Sequence, residues 1–122
     1  MAVTQSRDNR TIVAGADLSA AQFTFVSLDA NAKAIPTGAG LAGFGLLEVG
    51  TAAGGACTVT KTGKVMVSCG GTVTIGGNVS ADANGAALDS TAGDIILGVA
   101  YEAGVNKQVI SIELSDAGNV AT

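Results

Sequence analysis

Apolar residues in this chain come in short alternating runs, and glycine-rich or Asx-containing stretches separate one run from the next. Examples are Phe23-Thr24-Phe25-Val26-Ser27-Leu28, Thr72-Val73-Thr74-Ile75 and Gln108-Val109-Ile110-Ser111-Ile112-Glu113-Leu114. A strand turns successive side chains to opposite faces, so alternation of this kind suits half-buried strands. Many such runs between turn signals predict an all-β fold, a small barrel or sandwich of short strands. The apolar share is 48%, yet the chain has 18 Gly, three Phe, one Tyr and no Trp. Its core must therefore come from small and β-branched side chains, which pack well on pleated surfaces. The length of 122 residues suits one domain. A chain of that size buries roughly two-thirds of its unfolded surface.

Residues 1–10 are polar and without period, and read as an extended N-terminal arm. A single β domain is expected over 11–115, followed by a short polar tail over 116–122. Within the domain, Thr11-Ile12-Val13-Ala14 reads as a first short strand, and Asp17 to Gln22 as one capped helical turn. Phe23, Phe25 and Leu28 are expected inward on the next strand. Asp29-Ala30-Asn31-Ala32-Lys33 reads as a turn. The stretch from Ile35 to Gly40 reads as a loop, because Pro36 and two glycines oppose a ladder. Phe44 to Val49 is a further strand. Thr72 to Ile75 alternates again, and a strand through Val79 meets a strong turn signal at Asp82-Ala83-Asn84-Gly85, across which Ala86-Ala87-Leu88 can pair back. Asp94 to Glu102 is apolar on both faces and is expected to be a central, buried strand. Ile110, Ile112 and Leu114 point inward on the last strand. No repeat of fixed period stands out, which argues against a solenoid.

Cys57-Thr58-Val59-Thr60 and Lys64 to Cys69 read as a hairpin. Bringing Cys57 and Val59 onto the face of Val65, Val67 and Cys69 requires an odd loop. Lys61-Thr62-Gly63 meets that need, with Gly63 in a left-handed bulge position. Cys69 would then lie diagonal to Cys57, about 7–8 Å away, too far for an unstrained disulfide. Two reduced, packed cysteines are expected.

Chemistry is sparse. The chain has no His, which removes the commonest general base and metal ligand and rules out Ser–His and Cys–His nucleophile pairs. Two cysteines twelve residues apart, without further ligands, do not make a zinc site. The ten acidic residues sit mostly at turns or on outward positions, and almost no aromatic side chains are present to platform a sugar. Asp82-Ala83-Asn84-Gly85 lacks the spaced oxygen ligands of a calcium loop. Gly38-Ala39-Gly40-Leu41-Ala42-Gly43 has the letters of a dinucleotide fingerprint without its strand–helix context. No enzyme activity, cofactor or metal is expected. Charged residues make up 13% of the chain and the net charge is −4, so nucleic acid is not an expected partner. No apolar stretch has the length of a membrane span, and the polar N-terminus carries no secretory signal. Scarce surface charge suits a chain partly covered by other subunits.

In order and spacing the chain resembles the small capsid cement, or decoration, proteins of tailed phages. The resemblance rests on Ala14-Gly15-Ala16-Asp17-Leu18-Ser19, Gln22-Phe23 and the strand to Leu28-Asp29, then Gly45-Leu46-Leu47 and Gly63-Lys64-Val65. It continues through Gly70 to Ala87, Leu97-Gly98-Val99-Ala100-Tyr101-Glu102 and Val109 to Leu114. The Gly76-Gly77 pair departs from it, standing where an acidic residue after a single Gly is expected. The resemblance implies an all-β, barrel-like fold, a homotrimer, and a seat on the outer capsid surface after synthesis in the host cytoplasm. It also implies the major capsid protein as partner, with no catalysis. Arg7, Arg10, Asp17 and Leu18 are the candidate residues for contact with the capsid or a neighbouring subunit. The alternatives are a tail, fibre or bacterial surface module, and a small glycan-binding domain.

Overall fold

A computed structural model describes residues 5–114, 120 and 121, with side chains from residue 9 onward. The described residues form nine strands and no helix: β1 (Gln5–Val13), β2 (Phe25–Leu28), β3 (Ala34–Pro36), β4 (Gly45–Val49), β5 (Ala56–Ser68), β6 (Asn78–Ala81), β7 (Ala87–Asp89), β8 (Gly98–Ala100) and β9 (Val109–Leu114). They make one sheet in the order β3-β2-β4-β5-β9-β8-β6-β7, with β1 also paired to β5. Every ladder between named strands is antiparallel. The all-β expectation holds.

The central departure from the sequence reading is β5. The expected hairpin at 61–63 is absent, and Ala56–Ser68 runs as one strand. Cys57, Val59, Val65, Val67 and Cys69 are all buried at odd positions. The parity that suggests a three-residue loop is equally met by an unbroken strand. Partners decide between the two. The first half of β5 is held by β1 and β4, and the second half by β9. Gly63 does take a positive φ of 112°, but it absorbs irregularity in the β1 pairing, where the register shifts opposite Ser6 and Asp8. The two cysteines are free and buried, as expected. Cys57 lies near the start of β5 and Cys69 just past its end, not diagonally across a hairpin, and they belong to two separate core clusters.

Other expectations are corrected by packing. From Gln5 onward the supposed arm is strand β1. Asp17 to Gln22 forms turns without a helix. Leu28 is 38% exposed, while its neighbour Val26 is buried with Phe25. Pro36 belongs to β3, at the sheet edge where a missing amide costs no ladder bond. Thr72 to Ile75 contributes a single bridge, Val73 to Gly104, and no strand. The run from Asp94 to Glu102 supplies only the three residues of β8, with Val99 exposed. The hairpin of β6 and β7 around the 82–86 turn, and β9 with Ile110 and Ile112 inward, form as the pattern indicates. Most of the proposed C-terminal tail lies outside the described residues; Val120 bridges Ile95.

The structure also carries an internal repeat that does not stand out in the sequence. Val26-Ser27-Leu28-Asp29-Ala30-Asn31 returns 53 residues later as Val79-Ser80-Ala81-Asp82-Ala83-Asn84. The strands β2, β3 and β4 and the first half of β5 correspond at that spacing to β6, β7, β8 and β9. Ladder partners recur: Val26 with Pro36 and Val79 with Asp89, Phe25 with Leu46 and Asn78 with Val99, Leu47 with Val59 and Ala100 with Ile112. At a spacing of 55, β1 corresponds to the second half of β5, so that Ile12 with Cys57 matches Val67 with Ile110. Positive φ recurs at 53 as well, at Phe23 and Gly76, Ala32 and Gly85, Gly40 and Gly93, and Gly54 and Lys107. Gly45 and Gly98 face the same constraint: a Cβ would stand 2.6 Å from the Thr60 carbonyl oxygen in one case and 2.5 Å from that of Glu113 in the other.

The molecule is thus two five-stranded units that share β5. The first unit has the core of Ala14, Leu18, Val26, Ala34, Leu47, Cys57 and Val59. The second is centred on Val65, Val67, Val73, Val79, Ile110 and Ile112, and Phe25 and Leu46 of the first unit pack into it.

Candidate interaction site

In each unit an aspartate builds the turn between the paired short strands. Asp29 Oδ1 accepts the Asn31 and Lys33 amides at 2.8 and 3.0 Å, and Asp82 Oδ1 accepts those of Asn84 and Ala86 at 2.8 and 2.9 Å. These are Asx turns, in which a short carboxylate replaces backbone partners. The amides of Lys33 and then Asn31 hold the Asp29 carboxyl below its ordinary range. The 82–86 loop is therefore a structural turn. The described residues contain no group of three or more His, Cys, Asp or Glu able to hold a metal ion.

The second turn has a further task. It is seated against the first unit: the Phe25 amide donates to the Gly85 carbonyl at 2.7 Å. A Cβ on Gly85 would stand 2.5 Å from the Phe25 carbonyl oxygen, so only glycine allows this approach at φ 81°. Beside it the Gly40 amide donates to Ala81 O at 3.0 Å, and the Ile95 amide to Gly40 O at 3.0 Å. Leu46 and Ala81 are almost fully buried at this junction.

Of the candidate contact residues, Leu18 is a correction. It is 0% exposed in the first unit's core, and its amide donates to Thr51 O, so it offers no surface to a partner. Asp17 is exposed and accepts the Ser19 hydroxyl at 2.6 Å and the Ser19 amide at 3.1 Å. Those bonds, the hydroxyl's first, lower its pKa. Arg10 is exposed on β1, opposite Val59 in register, and its guanidinium donates to Asn9 O at 3.3 Å. Arg7 lies on the same strand, and its side chain is outside the described residues. The structure does not gather these four into one site.

Two lysines are held along β5. Lys61 Nζ lies 4.0 Å from the Phe44 ring centroid and donates to Phe44 O at 2.7 Å. Lys64 Nζ lies 4.5 Å from the Tyr101 ring centroid, while the Tyr101 hydroxyl donates to Glu113 Oε1 at 2.6 Å. That bond to Glu113 raises the tyrosine pKa. No spacing rule along the chain pairs these groups; strand register does.

A scan against protein families gives no match, and a search of curated proteins gives none either. Among solved structures the fold is similar to the N base of the head fibre gp8.5 of bacteriophage phi29, with a TM-score of 0.73 and 13% sequence identity, over 93% of this chain and 98% of that one. The β architecture of this chain is therefore one that a solved phage head-fibre base also adopts.

Proposed function

We propose that this chain is a structural component of a tailed-phage virion that seats on the outer face of the capsid and stabilises it by bridging shell subunits. The observation that carries the reading is the likeness, over nearly all of both chains, to a phage head-fibre base. The sequence resemblance to cement proteins supports the same reading. Its partners would be the major capsid protein and further copies of itself, as a homotrimer. A protein that binds only the assembled shell stabilises it by mass action, as any ligand of a native state does. Exposed Arg10 and Asp17 stay candidate contacts in this reading, Arg7 joins them from the same strand, and Leu18 drops out.

The test is sedimentation of the purified chain with undecorated heads from its source phage, with the copy ratio to the shell protein measured. Saturable binding at a fixed ratio is expected, together with a raised thermal midpoint of the heads. Failure to bind across a range of salt rejects capsid decoration. A second reading is favoured by the same fold likeness: the chain is the base of a fibre. In that case copurification with fibre subunits replaces direct binding to bare heads.

A further inference from the structure

The internal repeat leaves each end of the molecule with half of a junction. At the inner junction the 82–86 turn of the second unit sits on the first unit through the Phe25–Gly85 and Gly40–Ala81 hydrogen bonds. The positions equivalent to Phe25 and Gly40 on the second unit are Asn78 and Gly93. Asn78 lines an open groove of about 420 Å³ together with Gly77, Asp89, Ser90, Val120 and Ala121, and the Gly93 amide donates to Ala121 O beside it. The equivalent of the seated turn is the 29–33 turn of the first unit, which points into solvent: Ala30, Asn31, Ala32 and Lys33 are all exposed. Apolar exposure follows the same logic. Leu28 is 38% exposed where its equivalent Ala81 is 4%, and Val99 is 41% exposed where its equivalent Leu46 is 0%.

We infer that the groove of the second unit is a docking site for a second copy of this chain, which enters it with its 29–33 turn and Leu28. The contact repeats the inner junction between molecules. It joins unlike faces, so it is heterologous and propagates into a closed ring or an open chain of subunits.

Three features make it weaker than the inner junction. Asn78 replaces Phe25, removing apolar area from the face. Ala32 replaces Gly85, and its methyl keeps the incoming turn from seating as deeply. The chain's own 120–121 segment also partly fills the place: Gly93 donates to Ala121 O at 2.9 Å, as Gly40 does to Ala81 O. That segment stands in for the incoming strand end and competes with it.

The proposal specifies the self-association within the function proposed above, and its test separates the two. Sedimentation velocity over a range of concentrations is run on the intact chain and on a chain lacking residues 120–122. Removing the competitor should bring assembly to roughly tenfold lower concentration, equivalent to about 1.4 kcal/mol. Leu28→Asp or Val99→Asp, each at an exposed site, should reverse that gain. As a check independent of folding losses, a chain with Asn31→Cys is mixed with one carrying Asn78→Cys under mild oxidation. Disulfide-linked pairs should form in the mixture well above either chain alone. A truncated chain that stays monomeric at every concentration overturns the proposal. So does assembly that neither charge disturbs, a result that leaves self-association standing through another surface.

Discussion

Gly85 and Ala32 occupy the same position of the same turn, and substituting each tests whether the inner junction matters. Gly85 has φ 81° and Ala32 has φ 59°. An alanine at 85 meets two costs. The left-handed backbone costs roughly 1–2 kcal/mol with a Cβ. The Cβ would also stand 2.5 Å from the Phe25 carbonyl oxygen and 3.5 Å from the Thr37 amide nitrogen, a crowding of the kind that costs about 1–3 kcal/mol. Reduced freedom of the unfolded chain returns about 0.4–1 kcal/mol. Gly85→Ala should therefore destabilise by about 1–5 kcal/mol, centred on ~3 kcal/mol. Ala32 is exposed, so Ala32→Gly relieves the backbone strain and meets no crowding; it should shift stability by less than about 1 kcal/mol. Urea denaturation monitored by circular dichroism measures both. In a thermal melt of a chain this size, the Gly85 variant should lose on the order of 10 °C. A Gly85→Ala stability within about 0.5 kcal/mol of the parent, below the expected strain alone, would refute the argument that the turn is pressed against the first unit.

Gly63→Val should cost at least about 1–2 kcal/mol because a β-branched residue cannot take φ 112° inside a strand; Gly63→Asn should cost less, and equal, negligible effects in urea melts would contradict the bulge. Cys57 and Cys69 should resist a thiol reagent in the native protein and both react once it is unfolded without reductant; a protected, reducible pair would contradict the separation along β5. Burial raises both thiol pKa values, and the charge of Glu102 adds to the effect at Cys69. The folded state therefore holds these protons more tightly than the unfolded state. Their contribution to stability is complete below the ordinary thiol range near pH ~8.5 and is lost as pH rises through the raised values, which alkaline urea melts would reveal. Deleting residues 2–10 removes most of β1 and its pairing with β5, so the truncated chain should melt well below the parent; an unchanged midpoint would mean that β1 adds nothing to the first unit.

The fold class and the turns at 29–33 and 82–86 were legible in the residues alone. Alternation in β9, the Asp82-Ala83-Asn84-Gly85 signal and the inward Ile110 and Ile112 are local facts, carried by a period of two and by the side-chain chemistry of Asx turns. The course of β5 followed from its long-range pairing. Odd-position burial is the same for a hairpin with a three-residue loop and for a straight strand, and two of the partners that decide it, β1 and β9, lie far away in the chain. Burial of Leu18 in the first unit's own core and exposure of Leu28 at the end of β2 were likewise set by packing between distant elements, which local alternation does not report. The repeat lay in the sequence only as a six-residue echo, Val26 to Asn31 against Val79 to Asn84. Elsewhere the two units keep the backbone and change the side chains, Phe25 to Asn78 and Gly40 to Gly93 being extremes of loss and retention. Hydrogen-bond register and positive φ constrain a backbone whatever the side chain, so the duplication survives in the fold after it has faded from the residues.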